Sequence, residues 1–570
     1  MKKYVFRSFI YLLILICYTF NNVYANTLKQ NASISKTTKY QQQFSGITYY
    51  IHPMIGDDAN SGTSISQPFQ SLERIEKIQL HAGDKIILAT GQTYYGSLKL
   101  IHQNGLPSTP IVITSSDWKK SGNTTQAIID CKGKANGIVI QDCSHITVSH
   151  LSITGNGYST FNEAADMRCA VLVNSIDQKE MTDINLDHLL IKDVFYENPG
   201  FIRNKNEVQT ANGTQKYGWG IRIISNQENH VIENVEISNC EVSNVSHTGI
   251  KLTGNNKNIQ RIKILHNKVL YTGGPGMQMS GVQNVYVADN IIDHSGSNND
   301  SRKWGRGSGL WTWSSSDVLI ERNRFLYANG PGDSDGAHID FNCENIIIQY
   351  NLSAFNAGGF CEILGNNYNC TYRYNVSVND GYRIKGKDGA FQEGKTLWLS
   401  GYQGNHQPRK GPVNTYIYNN TIYADASLQP KIAFDNTSKG VVIANNIFCV
   451  ANPFQLVLGD QYKPDVKSKK PIENMQITNN LFLNPNSLPG EMGIYEHGSL
   501  LGDPKFKKGG GLELADYIPL DTVNVKHKGI SVHTKEIKGF DSSFSSDIKS
   551  DIMGNTIPAQ LSIGAIEPVF

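Results

Sequence analysis

Two short segments carry a carboxylate at the same position of the same phrase: Gly336-Ala-His-Ile-Asp340 and Gly358-Gly-Phe-Cys-Glu362. If they are strands on neighbouring coils of a stack, Asp340 and Glu362 are expected one rung apart, with backbones about 4.8 Å from each other. Like charges that close repel, so one should hold a proton at working pH and serve as a general acid. Carboxyl groups about 5 to 5.5 Å apart are what a retaining glycosidase uses, one as nucleophile and one as acid/base, so the spacing selects retention over inversion. The non-catalytic alternative is a calcium site, or a pair neutralised by Arg373, Arg383 or Lys385. Asp333 and Asp335, in Gly330-Pro-Gly-Asp-Ser-Asp-Gly336, read first as turn formers. Asp335 is also the reserve acid/base or sugar-binding group.

The same phrase recurs: Gly249-Ile-Lys-Leu-Thr253, Gly276-Met-Gln-Met-Ser280, Gly309-Leu-Trp-Thr-Trp313 and, less perfectly, Thr396-Leu-Trp-Leu-Ser400 and Lys431-Ile-Ala-Phe-Asp435. Alternation turns Ile250/Leu252, Met277/Met279, Leu310/Thr312, Ala337/Ile339 and Gly359/Cys361 inward. The outward face then has one row of Lys251, Gln278, Trp311, His338, Phe360 and Trp398, and another of Thr253, Ser280, Trp313, Asp340, Glu362 and Ser400. Aromatics beside carboxylates are not the composition of an inert sheet face and point to binding. Trp311, Trp313, His338, Phe360 and Trp398 are the expected sugar-binding residues, with insertions at 296–308, 330–335, 380–395 and 401–412 as cleft walls.

What would position them is a second repeat, apolar-x-apolar-x-x-Asn, ending at Asn267, Asn290, Asn323, Asn351, Asn375, Asn420, Asn446 and Asn480, with Cys240 in the Asn place of an earlier copy. Its irregular spacing, from 23 to 45 residues, is what loops of variable length between short strands produce. The expected fold is all-β, a parallel β-helix solenoid with a small N-terminal cap and long loops on one face. The Asn column is expected to form a side-chain hydrogen-bond ladder at a turn.

The remaining composition narrows the setting. The 570 residues carry 52 Lys and Arg against 50 Asp and Glu, and a near-neutral chain gives no broad electrostatic reason to expect a nucleic-acid partner. Lys2, Lys3, the apolar run Phe9–Phe20 and Val23-Tyr-Ala25 read as a signal peptide over 1–25, implying a periplasmic or extracellular protein with no transmembrane segment in its mature chain. A lipoprotein anchored at Cys17 is the minor alternative. A polar leader would follow over 26–46, then a cap and first coil over 47–109 with a short helix at 71–80, the β-helix over 110–497, and a C-terminal extension over 498–570. Eight further cysteines lack metal-ligand spacing and read as buried free thiols. No cofactor is called for, though calcium would be compatible; oligomeric state is not legible.

At this point the residues resemble a known group. The opening Tyr49-Tyr-Ile-His-Pro, Gly56-Asp-Asp-Ala-Asn-Ser-Gly-Thr63 and Ala82-Gly-Asp-Lys-Ile-Ile-Leu88, with the closing Asp551-Ile-Met-Gly-Asn555 and Ile563-Gly-Ala-Ile-Glu567, resemble secreted right-handed parallel β-helix carbohydrate-active enzymes. The central Gly336-Ala-His-Ile-Asp340-Phe and Gly359-Phe-Cys-Glu362-Ile resemble β-helical β-xylosidases, with a related group including α-L-fucosidases equally compatible. The resemblance implies Asp340 as nucleophile and Glu362 as acid/base of an exported glycoside hydrolase. A polysaccharide lyase using Lys251, Arg383 and Lys385, and a non-catalytic carbohydrate-binding surface protein, are the alternatives.

Overall fold

The computed structural model describes residues 46–568, apart from 119, 132, 158–166, 211, 214–215, 460–470, 490–495, 538 and 541–546. The expected signal peptide, Cys17 and the expected leader up to residue 45 therefore lie outside the described residues. Three sheets of 15, 12 and 14 parallel strands span Thr48 to Leu501 of the compact unit, and each of the central coils contributes one strand to each sheet. One coil shows the pattern: Ser316–Glu321 in the 15-stranded sheet, Arg324–Leu326 in the 14-stranded sheet, Ala337–Ile339 in the 12-stranded sheet. This is a right-handed parallel β-helix. Inward apolar side chains of successive coils stack as columns, such as Ile262, Val285, Val318 and Ile346, into one continuous core.

The Asn ladder forms as expected. The backbone N–H of Asn267, Asn290, Asn323, Asn351, Asn375, Asn420 and Asn446 each donates to the Oδ1 of the next Asn at 2.8–3.0 Å. Each Nδ2 also donates to a carbonyl of the preceding coil, as Asn323 does to Val287 O at 3.0 Å. The left-handed residue of the turn is not the Asn but the one before it, for instance His266, Asp289, Arg322 and Tyr350. The Asn supplies the hydrogen bonds and its neighbour the bend.

The expected helix at 71–80 is a short 3-10 helix, Leu72–Lys77, which buries Leu72 and Ile75 against the core. C-terminal residues Tyr517, Ile552, Ala565 and Ile566 pack on Leu326, Leu352, Val376 and Val378. All eight described cysteines are free and buried. Among the described residues no helix is long and apolar enough to cross a membrane.

Candidate active site

The strands of the 12-stranded sheet fix the register of the site. Ile339 pairs with Ile363, and Asp335 bridges Gly359. His338 is therefore the rung neighbour of Glu362, and Asp340 is two residues further on, which corrects the expected stacking of Asp340 on Glu362. The two acids share a face but are separated by one rung and two residues, roughly 8 Å between backbones. The one-rung spacing that would have selected a retaining pair is not there.

The outward row is thus Arg222, Lys251, Gln278, Trp311, His338, Glu362 and Trp398. Phe360 is not part of a cleft: it belongs to the main core, with its ring 5.7 Å from that of Tyr372. Its rung partner is Gly336. Trp311 is also buried, its ring edge-on to His338 at 5.4 Å. Trp398 is buried with Lys395 Nζ 3.8 Å above it. Trp313 is the exposed aromatic of the set, at 38%. It leads through Phe341 (5.6 Å) to Tyr402 (5.3 Å further), two aromatics of the strand-end turns that the repeat phrase did not mark.

Asp333, Asp335 and Glu362 meet where the loop 330–336 closes on the sheet, and Asp340 stands just past the far end of the strand Ala337–Ile339. Asp333 is gripped by Arg306, Nε to Oδ2 at 2.8 Å and Nη2 to Oδ1 at 3.0 Å. Burial opposes its ionisation, but the Arg306 charge and hydrogen bonds, helped by His338 and Arg383, win and hold it below the usual carboxylate range. Asp340 is half-buried and accepts a hydrogen bond from Phe341 N at 2.8 Å. Burial first, then the charge of Asp333, pushes it up to about 7 against the opposing Phe341 N–H and Arg306.

Glu362 is raised well above its ordinary range, by burial and then by the charge and hydrogen bond of Asp335. The two side chains share a proton: Glu362 donates, Asp335 accepts. A Cβ on Gly359 would lie 2.7 Å from Asp335 Oδ1 and 2.0 Å from Lys395 O, so only glycine lets the loop close on the strand here. Ser308 Oγ accepts from the N–H groups of Ser334 (3.1 Å) and Asp335 (3.0 Å). Its own proton therefore points to His338 Nδ1 at 2.9 Å, leaving the ring proton on Nε2. Burial lowers the His338 pKa and favours this neutral form.

Asp335, His338 and Glu362 offer ligand atoms all within 4.8 Å of one another. Calcium prefers six to eight oxygens, and this trio supplies two carboxyls and an imidazole. The donors suit a proton-sharing network better than calcium. Of the expected neutralising cations, Arg383 does reach the loop, donating to Asp333 O. Arg373 faces the other way, bonded to Gln349 and Tyr418 on the 15-stranded sheet. Asp435 is tied to Arg409 and Thr437 in its own turn. Arg306 and Ser308, the groups that organise the loop, lie in the 296–308 insertion, where no repeat singles them out.

Comparison with known proteins agrees with the architecture. A family described as right-handed β-helix region matches residues 219–405. Lacto-N-biosidase of Bifidobacterium longum subsp. longum is 25% identical over 519 residues, an alignment that covers 75% of this chain and only 30% of that protein's length. The crystal structure of GH136 lacto-N-biosidase from Eubacterium ramulus superposes with a TM-score of 0.53 in its native form, at 20% identity, covering 75% of this chain and 70% of that one. Its selenomethionine derivative gives 0.51 over 74% and 69%. The chain is similar to these proteins in fold, and in sequence to part of the Bifidobacterium protein.

Proposed function

We propose that the protein is a glycoside hydrolase acting on oligosaccharides, and that Asp333 and Asp340 are its reacting pair. The observation that carries the proposal is the opposed state of two carboxyls: Arg306, through two hydrogen bonds and its charge, holds Asp333 below the usual carboxylate range, while burial and the charge of Asp333 push Asp340 up to about 7. Acid and base roles follow from environments that push two pKa values apart. Access supports the choice. Asp340 is half-buried and the Asp333 side chain is 10% exposed, whereas Asp335 and Glu362 are at 4% and bonded to each other.

In this reading Asp340 protonates the departing glycosidic oxygen and Asp333 attacks the anomeric carbon. The ionised Asp340 then takes a proton from the water that releases the sugar. Double displacement with retention, which this assignment implies, needs the Asp333 and Asp340 carboxyls about 5 to 5.5 Å apart in the working complex. Glu362, Asp335 and His338 form the floor that fixes the loop, which differs from the roles of nucleophile for Asp340 and acid/base for Glu362 expected from sequence. Trp313, Phe341 and Tyr402 offer faces and edges for a sugar ring. The similarity to lacto-N-biosidases makes lacto-N-oligosaccharides the first substrates to try. Lys2, Lys3 and the apolar run to Phe20 support action outside the cytoplasm.

The test is incubation of the full chain with lacto-N-oligosaccharides and a wider oligosaccharide panel, following new reducing ends, ultraviolet absorbance of unsaturated products and, by NMR, the anomer first released. Reducing ends with retained configuration support the proposal. Absorbance would replace it with elimination, and an inverted product would remove Asp333 as nucleophile.

A further inference from the structure

Asp333 and Ser334 both stand in the left-handed region, with φ of 50° and 77°. L-residues avoid that region because Cβ crowds the following carbonyl, so two in succession need support from outside the loop. Arg306 fixes the carboxylate of Asp333, not its backbone. The backbone is held from the 380–395 insertion, whose residues 383–392 lie across the loop as a strap. Gln392 Oε1 accepts the Asp333 N–H at 2.5 Å, and Arg383 Nη1 donates to Asp333 O at 2.6 Å and to Gly330 O at 3.2 Å. The two strap residues also fix each other: Arg383 Nε donates to Gln392 O at 2.9 Å and Nη2 to Gln392 Oε1 at 3.4 Å. The N–H groups of Phe391 and Gln392 close on Pro331 O at 3.0 and 3.3 Å. A Cβ on Gly332 would lie 2.4 Å from Phe391 Cζ, so glycine is what lets the strap come this near. The Arg306 guanidinium lies 5.1 Å from the centre of the same Phe391 ring.

Gln392 carries a cost. It is 2% exposed, and two donors, Asp333 N and Arg383 Nη2, settle which end of its amide is the oxygen. The other end, Nε2, is buried without a hydrogen-bond partner among the described residues. An orphaned buried amide nitrogen destabilises the fold, and an apolar side chain would avoid that penalty. What the amide gives in return is a neutral acceptor for the Asp333 N–H. A carboxylate in its place would accept the same bond but set a second negative charge beside Asp333.

We propose that Gln392 is a positioning residue for the reaction: its side-chain oxygen holds the Asp333 backbone so that the carboxylate gripped by Arg306 meets the anomeric carbon. That Asp333 is the nucleophile rests on the hydrolase reading. Displacing a reacting group by about 1 Å can cost on the order of 100-fold in rate, which is the loss this bond guards against.

The experiment compares full-length wild type, Gln392→Ala and Gln392→Glu, by steady-state kinetics on a lacto-N-oligosaccharide across pH and by hydrogen exchange read by mass spectrometry. Gln392→Ala should lower kcat roughly 10- to 100-fold with KM within about threefold of wild type. Gln392→Glu keeps the acceptor and should recover most of that kcat at its optimum. Its acidic limb, where Asp333 must lose its proton, should move to higher pH because of the added charge. A merely structural residue would give neither the recovery nor the shift. Should Gln392→Ala melt early, the limb of Gln392→Glu carries the test alone. Exchange needs no turnover: amides of 330–336 should exchange faster in Gln392→Ala while Ser316–Glu321 of the same coil stays protected. Unchanged exchange, an unchanged kcat in Gln392→Ala, or an unmoved limb in Gln392→Glu would overturn the proposal. Wild type without turnover, together with faster exchange in Gln392→Ala, would sink the hydrolase reading and leave Gln392 as the residue that holds Asp333.

Discussion

Arg306 grips Asp333 through two hydrogen bonds, and the charge so fixed raises the neighbouring Asp340. Removing Arg306 should therefore disturb both acids. In Arg306→Met, Asp333 loses its counter-charge and should lose activity by at least 100-fold, an effect of about 2.7 kcal/mol or more on the barrier. Its stability deficit has a defined pH signature. A carboxyl depressed in the folded state stabilises above its unfolded pKa, and that contribution is lost as pH falls through the folded value. The gap in unfolding free energy between wild type and Arg306→Met should thus be full at neutral pH and shrink in strong acid, as denaturant titrations at several pH values would show.

Asp340 has the opposite sign. A carboxyl raised to about 7 binds more protons folded than unfolded between about pH 4 and 7, so its contribution to stability falls as pH rises through that window. The same group as proton donor should give an alkaline limb near pH 7 in the kcat profile. Asp340→Asn should flatten the Asp340 part of the stability slope; the raised Glu362 leaves a slope of its own. An alkaline limb kept by Asp340→Asn at measurable activity would assign that limb elsewhere.

Glu362→Gln tests the floor. The amide can donate to Asp335 as the protonated acid does, so the network survives and activity should fall less than tenfold. Glu362→Ala leaves a buried Asp335 without its donor and should cost several kcal/mol of stability. A loss of orders of magnitude in Glu362→Gln, with Asp333→Asn mild, would return the acid/base role to Glu362.

Trp313 is the exposed ring at the site, so Trp313→Ala should raise KM severalfold to tenfold with little change in kcat or melting temperature. Asn323→Ala, by contrast, should act on stability alone. It removes bonds to Val287 O, Glu321 O and Asn351, and the acceptor of both Asn290 N and Asn290 Nδ2, for roughly 3–5 kcal/mol at about 1 kcal/mol per bond. Thermal unfolding would show it.

Much of this was legible in the chain itself. The Asn column, the inward partners such as Met277/Met279 and the fold they build follow from period and spacing. The register across Asp340 and Glu362 did not, for a physical reason: a slip of two residues keeps every side chain on the same face. Cys361 and Ile363 are inward whether Gly358 or Phe360 is set against Gly336, so alternation cannot tell the two apart. Loop closure decided it, through the Asp335–Gly359 bridge. Arg306 and Ser308 were invisible for the related reason that long insertions carry no period. The resemblance to β-xylosidases rested on two strands, whereas the similarity to lacto-N-biosidase extends over three quarters of the chain.

The most direct measurement is release of reducing ends from a lacto-N-oligosaccharide by the full wild-type chain, Asp333→Asn, Asp340→Asn and Glu362→Gln under identical conditions. The account predicts turnover by wild type, loss of at least a thousandfold in each Asp variant, and a Glu362→Gln enzyme within tenfold of wild type. Turnover within a few-fold of wild type in either Asp variant would contradict it.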